Sequence, residues 1–151
     1  MGLEQLYYLT QIMAVIALVI SVFYLAKEVR LNTDTVRAAH ASHFVSWNTE
    51  IVDPVVRDRE FGQLWVRGQN DFENLDEVDK QRLVLFEWCA IQQWANSFNL
   101  HQERLLSDAQ WRQVQWIIEN IGSRQAVRAS WQVFKTSFSD EFQDFMSPYM
   151  E

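Results

Sequence analysis

Few residues in this chain have the type and spacing that chemistry needs. Glu87 is the most suggestive. It sits inside the apolar run LVLFEWCAI, residues 83–91, between Phe86 and Trp88. Burial there would raise its pKa, as general acids and bases require. The more ordinary expectation is exposure, or pairing with an arginine such as Arg124 or Arg128. Cys89, the single cysteine, lies two residues further on. In so apolar a helix it is expected to act as a small buried hydrophobe rather than a nucleophile. His40 and His43 are three apart, so a helix would put both on one face. A metal would need Cys89, His101 or a carboxylate as well, and the pair is expected to be polar surface of an amphipathic helix. Gly2, Gly62, Gly68 and Gly122 are scattered, so no glycine-rich loop can cradle a phosphate. The Glu-x-x-His pairs of di-iron bundles are absent from the sequence. The expectation is therefore no catalytic residue, no cofactor-binding residue, no metal site and no enzyme. Trp47, Trp65, Trp88, Trp94, Trp111, Trp116 and Trp131 fall at helical spacing and are expected to pack a core rather than box a ligand.

A different pattern concerns assembly. Gln11, Ala14, Leu18, Ser21, Leu25, Glu28, Asn32 and Thr35 recur every three or four residues. The stripe is small or polar at most positions. Small residues let helices approach closely, and Gln11 or Ser21 can hydrogen-bond across the contact. A polar Gln11 within an apolar span calls for a partner. The stripe is expected to drive self-association, continuing past Lys27 as a parallel coiled coil. In a larger ring it would line a pore, with Glu28 as an acidic ring favouring cations.

The element carrying this stripe is the uncharged run LYYLTQIMAVIALVISVFYLA, residues 6–26. As a helix it is roughly 30 Å long, enough to cross a bilayer. MGLEQ before it contains no Lys or Arg, and no small-residue cleavage pattern follows, so an uncleaved anchor is expected rather than a signal peptide. Lys27, Arg30 and Arg37 follow the span. The positive-inside rule then puts a short N-terminus, residues 1–5, outside and the C-terminal part in the cytoplasm. Tyr7, Tyr8 and Tyr24 would lie at the interfaces.

The 151 residues hold four Gly and two Pro, which favours helices. An aromatic content of 14 % excludes a disordered chain. Mean hydropathy is −0.21, so the membrane part must be one segment. The net charge of −7 comes mostly from the region after residue 52, which repels nucleic acid and anionic lipid. A lone cysteine precludes an internal disulfide and fits a reducing compartment. Residues 27–52 lack Gly and Pro, with Val29, Val36, His40, Phe44, Trp47 and Ile51 at helical spacing. They predict a juxtamembrane helix continuous with the span and reaching about Val52, with Asn32-Thr33-Asp34 as the rival break and Pro54 ending or restarting the helix. Residues 53–151 predict a bundle of about five helices. The first buries Phe61, Leu64 and Trp65 and is closed by Gly68. The second is capped by Asp76 and runs to about Arg104. Ser107 and Gln110 form a capping box for the third. Gly122 stops it, Ser123 caps the fourth, Ser139 caps the last and Pro148 ends it. The expected fold is thus all-α: a transmembrane helix, a long juxtamembrane helix and a small cytoplasmic bundle.

The order of these features resembles a widespread, uncharacterised family of small bacterial single-pass membrane proteins. The likeness is carried by the span, Arg30-Leu31-Asn32-Thr33, Trp65-Val66-Arg67-Gly68 and the helix with Trp88, Trp94 and Asn96. Leu105-Leu106-Ser107 before Trp111 and Phe138-Ser139-Asp140-Glu141-Phe142 complete it. The resemblance implies a bacterial inner-membrane location and transfers no activity. The leading expectation is a membrane-anchored scaffold or interaction module that self-associates in the lipid bilayer. A homo-oligomeric channel and an accessory subunit bound to a larger membrane protein are the alternatives. A nucleic-acid partner is not expected.

Overall fold

A computed structural model describes residues 2–150, without the side chains of residues 5, 37, 40–45, 47 and 48. His40, His43, Phe44 and Trp47 therefore lie outside the side chains described. The described residues form six α-helices and two short 3-10 turns, with no strand. The helices are α1 (Leu3–Arg57), α2 (Arg59–Asn70), α3 (Glu77–Gln102), α4 (Asp108–Ile121), α5 (Gln125–Phe134) and α6 (Asp140–Met150). The expected all-α class is present, with a long apolar N-terminal helix and a helical C-terminal domain. The chain divides into two compact units, residues 1–39 and 40–151.

In the first unit, Leu6–Val36 is long and apolar enough to cross a membrane, with a mean hydropathy of 2.3 in its most apolar window and none of that window buried. The rival break at Asn32-Thr33-Asp34 does not occur; all three are helical. Thr33 and Thr35 donate their hydroxyls to the carbonyls of Val29 and Leu31, at 2.9 and 2.8 Å, rather than capping a new helix.

The second unit begins with the end of α1. Pro54 neither ends nor restarts that helix as expected; it lies inside it. Proline costs one N–H bond and crowds the preceding turn. Here the loss is tolerated for one turn: the Asp58 N–H still donates to the Pro54 carbonyl at 3.1 Å. Asp58 then caps α2, accepting from the N–H groups of Glu60 and Phe61 at 2.9 and 3.1 Å. Gly68 does not close α2 as expected. It is buried inside the helix, where an added Cβ would run into Leu83 Cδ1. The glycine serves close packing of α2 on α3. The following loop contains a 3-10 turn, Phe72–Asn74, and buries Phe72 and Leu75.

Asp76 caps α3 as expected, accepting from the Asp79 N–H at 2.9 Å. Past the end of α3, Arg104 turns the chain through a left-handed φ of 59°. The Ser107–Gln110 capping box forms and starts α4. The next cap corrects the expectation: Arg124, not Ser123, occupies the N-cap of α5 and gives no side-chain bond. Ser139 does cap α6, with the Phe142 N–H at 3.3 Å from its hydroxyl. Pro148 does not end α6, which runs on to Met150.

Two apolar clusters make the core. One joins Ile91, Trp94 and Phe98 of α3 to Trp111, Val114 and Ile118 of α4, Val127 and Trp131 of α5, and Phe142 and Met146 of α6. The other joins Phe61 and Leu64 of α2 to Phe72, Leu75, Leu83, Val84 and Ala126. Helices α3 and α5 belong to both. The buried Ser130 hydroxyl ties them, donating to the Val84 carbonyl at 2.9 Å. The run at 83–91 is less enclosed than expected. Leu85 is 50 % exposed and Cys89 is also exposed, so Cys89 is not a core residue. The reason is that α3 meets its neighbours on part of its circumference, whatever the run's composition. Among the described tryptophans, Trp94, Trp111 and Trp131 are core, whereas Trp116 is 62 % exposed.

Candidate ligand-binding site

The caps and core contacts of α2 and α3 bring two residues together that sequence separation keeps 22 apart. Phe61 and Leu64 bury one face of α2 and leave Trp65 half-buried at its edge. Leu83, Val84 and Ile91 seat α3 and turn Glu87 inward, where it is 3 % exposed. The Trp65 indole Nε1 donates to Glu87 Oε1 at 3.0 Å. The Arg124 guanidinium lies over the Trp65 ring, 4.6 Å from its centroid.

These groups pull on the carboxyl in opposite directions. Burial raises its pKa; the Trp65 hydrogen bond and the Arg124 charge lower it, and burial dominates, so it is pushed up from 4.5 to about 7. Desolvation in turn lowers the pKa of Arg124, against the attraction of Glu87. Of the two arginines expected as partners, Arg124 is the one whose charge acts on Glu87, and it acts through space.

Glu87 opens onto a cavity of about 290 Å³ within the second unit. Ile51, Val52 and Val55 from the end of α1 form one wall, and Trp65 of α2 another. Phe86, Glu87, Ala90, Gln93 and Trp94 of α3 share the face between, and Ile117 and Ile121 of α4 close it. Gln93 is 3 % exposed, and its Oε1 is buried with no hydrogen-bond partner. The site therefore combines an apolar, aromatic lining with two buried polar groups. That is the usual make-up of a small-molecule site. A second, open cleft beside α2 is lined by Arg67, Asp79, Arg82 and Glu60. Four of its charges are paired with one another: Arg67 with Asp79 at 2.9 Å, and Arg82 with Asp79 and Glu60 at 3.6 and 3.8 Å; Arg59 lines the cleft as well.

The stripe residues Gln11, Ala14, Leu18, Ser21, Leu25, Glu28 and Asn32 are all exposed on α1 and take no part in this cavity. Gln11 finds a partner on its own helix, donating from Nε2 to the Tyr7 hydroxyl at 3.0 Å. Ser21 donates to the Ala17 carbonyl at 2.8 Å. Among the described residues no three of His, Cys, Asp and Glu converge. His101 stacks on Trp111, with ring centroids 4.8 Å apart. Sequence reasoning singled out Glu87 but missed Gln93. The available signal was a second polar residue on the face of α3 that carries Ala90 and Trp94. Comparison with protein-family models, curated proteins and solved structures gives no match.

Proposed function

We propose that this chain is a membrane-anchored helical interaction protein that self-associates through the first half of α1, and that it is not an enzyme. One observation carries the reading: the helical segment Leu6–Val36, whose most apolar window has a mean hydropathy of 2.3 and none of its residues buried. A contiguous exposed apolar surface of this length needs lipid or protein around it. Tyr7 and Tyr24, 61 % and 69 % exposed, are roughly 26 Å apart along the helix, near the spacing of two membrane interfaces. Lys27, Arg30 and Arg37 after the span favour a cytoplasmic C-terminal domain in a bacterial inner membrane. The stripe from Gln11 to Asn32 is the association surface. Its one hydroxyl, on Ser21, bonds within the helix, and the Gln11 amide keeps hydrogen-bonding capacity beyond its one bond to Tyr7.

The test is the mass of the detergent-solubilised protein. A small oligomer is expected, and Ala14→Ile with Ser21→Ile should dissociate it by blocking close approach. A monomer of the unsubstituted chain overturns self-association. A stoichiometric second chain in the preparation would make it an accessory subunit instead. Cation flux in liposomes that is lost in Glu28→Gln would make it a pore.

A further inference from the structure

We propose that the cavity between the end of α1 and helices α2, α3 and α4 binds a small lipophilic amine, its protonated nitrogen held by Glu87, with Gln93 as a second acceptor in the same cavity wall. The inference rests on the second unit alone and is independent of how α1 associates.

Polar atoms sealed in an apolar interior are nearly always hydrogen-bonded. Gln93 Oε1 is buried without a partner, and it belongs to the wall of a cavity of about 290 Å³. The Trp65 hydrogen bond engages Oε1 of Glu87, one of two carboxylate oxygens. Both side chains thus present acceptors, and the complementary ligand is a donor. An ammonium group carries up to three N–H donors and the charge opposite to the carboxylate. The rings of Trp65, Phe86 and Trp94 line the same space, and aromatic faces attract cations. The rest of the wall is Ile51, Val52, Val55, Ile117 and Ile121, which require an apolar body. An anionic ligand is disfavoured by Glu87. The volume is near the lower end of small-molecule sites, about 300–1,000 Å³, so the ligand is small. Glu87 and Arg124 lie near each other, but Arg124 stacks on Trp65 and is not part of the cavity wall. It leaves the carboxylate free to meet a ligand.

The experiment uses the full chain in detergent at pH 8, with 2-phenylethylamine as probe and 2-phenylethanol as its neutral counterpart. Tryptophan fluorescence and the melting temperature are followed together. The amine should bind with a Kd below about 1 mM and raise the melting temperature. The alcohol should bind at least about tenfold more weakly, the loss expected when a charge-assisted bond goes. Glu87→Gln keeps an acceptor for Trp65 and removes the charge; it should cost the amine about tenfold or more and leave the alcohol unchanged. Gln93→Leu should weaken the amine severalfold. Because detergent takes up each probe equally with every variant, differences between variants report the cavity. No binding of the amine, which would mean a cavity holding water only, overturns the proposal. So does equal binding of amine and alcohol, or equal binding of the amine by the Glu87→Gln protein.

Discussion

The carboxyl of Glu87 works against the fold whenever it is ionised. Its folded pKa of about 7 lies above the ordinary 4.5, so the folded state holds the proton more tightly than the unfolded chain. The sign follows: this group costs nothing below about pH 4.5, and stability falls as pH rises from there through about 7. The shift corresponds to about 3 kcal/mol once the acid is fully ionised. Glu87→Gln is neutral at all pH values and preserves the bond to Trp65. Urea midpoints of the two proteins should therefore coincide near pH 4.5, with the variant more stable at pH 8 by up to about 3 kcal/mol. A parallel pH dependence in both would show that burial of this carboxyl is not what strains the domain. Gly68 makes the opposite point, since what matters there is an absent atom. Gly68→Ala should gain about 1 kcal/mol of helix propensity. It should lose about 1–3 kcal/mol by pressing on the fully buried Leu83. A net loss on the order of 1 kcal/mol is expected in thermal melts, and a gain would mean that α2 and α3 are free to move apart.

Helices α2, α3, α4 and α6 start at side-chain caps, and each is placed by one buried face. In α4 the capping box at Ser107 begins the helix, and Trp111, Val114 and Ile118 turn inward. Ile118 is wholly buried, while Trp116 on the same helix is 62 % exposed. Composition alone would rank the tryptophan as the larger core residue. The structure reverses the ranking: Ile118→Ala should cost about 2–5 kcal/mol, and Trp116→Ala within about 0.5 kcal/mol of zero. Denaturant unfolding of the two variants checks this, and similar losses would mean the inward face of α4 is assigned wrongly. The asymmetry of α3 is similar. Its run at 83–91 is apolar nearly all round, yet Leu85 and Cys89 remain exposed because neighbouring helices cover only part of it.

At the scale of the whole molecule, the apolar N-terminal segment is the part long and apolar enough to cross a membrane. Among the described residues, most of the exposed large hydrophobic side chains belong to α1 before residue 32. The segment should hold the protein in membranes through alkaline carbonate extraction. Ile16→Arg combined with Val19→Arg puts two charges near its centre, at about 3 kcal/mol each. The double variant should appear in the soluble fraction. Persistence in the membrane would show that the anchor lies elsewhere.

Much of this was legible in residue order because it depends on local physics. An uncharged stretch of bilayer length, the caps at Asp76, Ser107 and Ser139, and the scarcity of glycine and proline are read from neighbours in the chain. The helices and their apolar faces follow from such short-range preferences. Where proline was expected to end α1 and α6, the helices continue past it, because the remaining backbone bonds outweigh one lost donor. What the sequence could not supply was anything joining distant residues. Glu87 could be recognised as odd, but its bond to Trp65, the Arg124 charge nearby and the cavity onto which it and the unpaired Gln93 face exist only once the helices meet. A cavity is defined by what packing leaves unfilled. Its shape depends on the separation and rotation of α1, α2, α3 and α4, which no periodicity within one helix encodes.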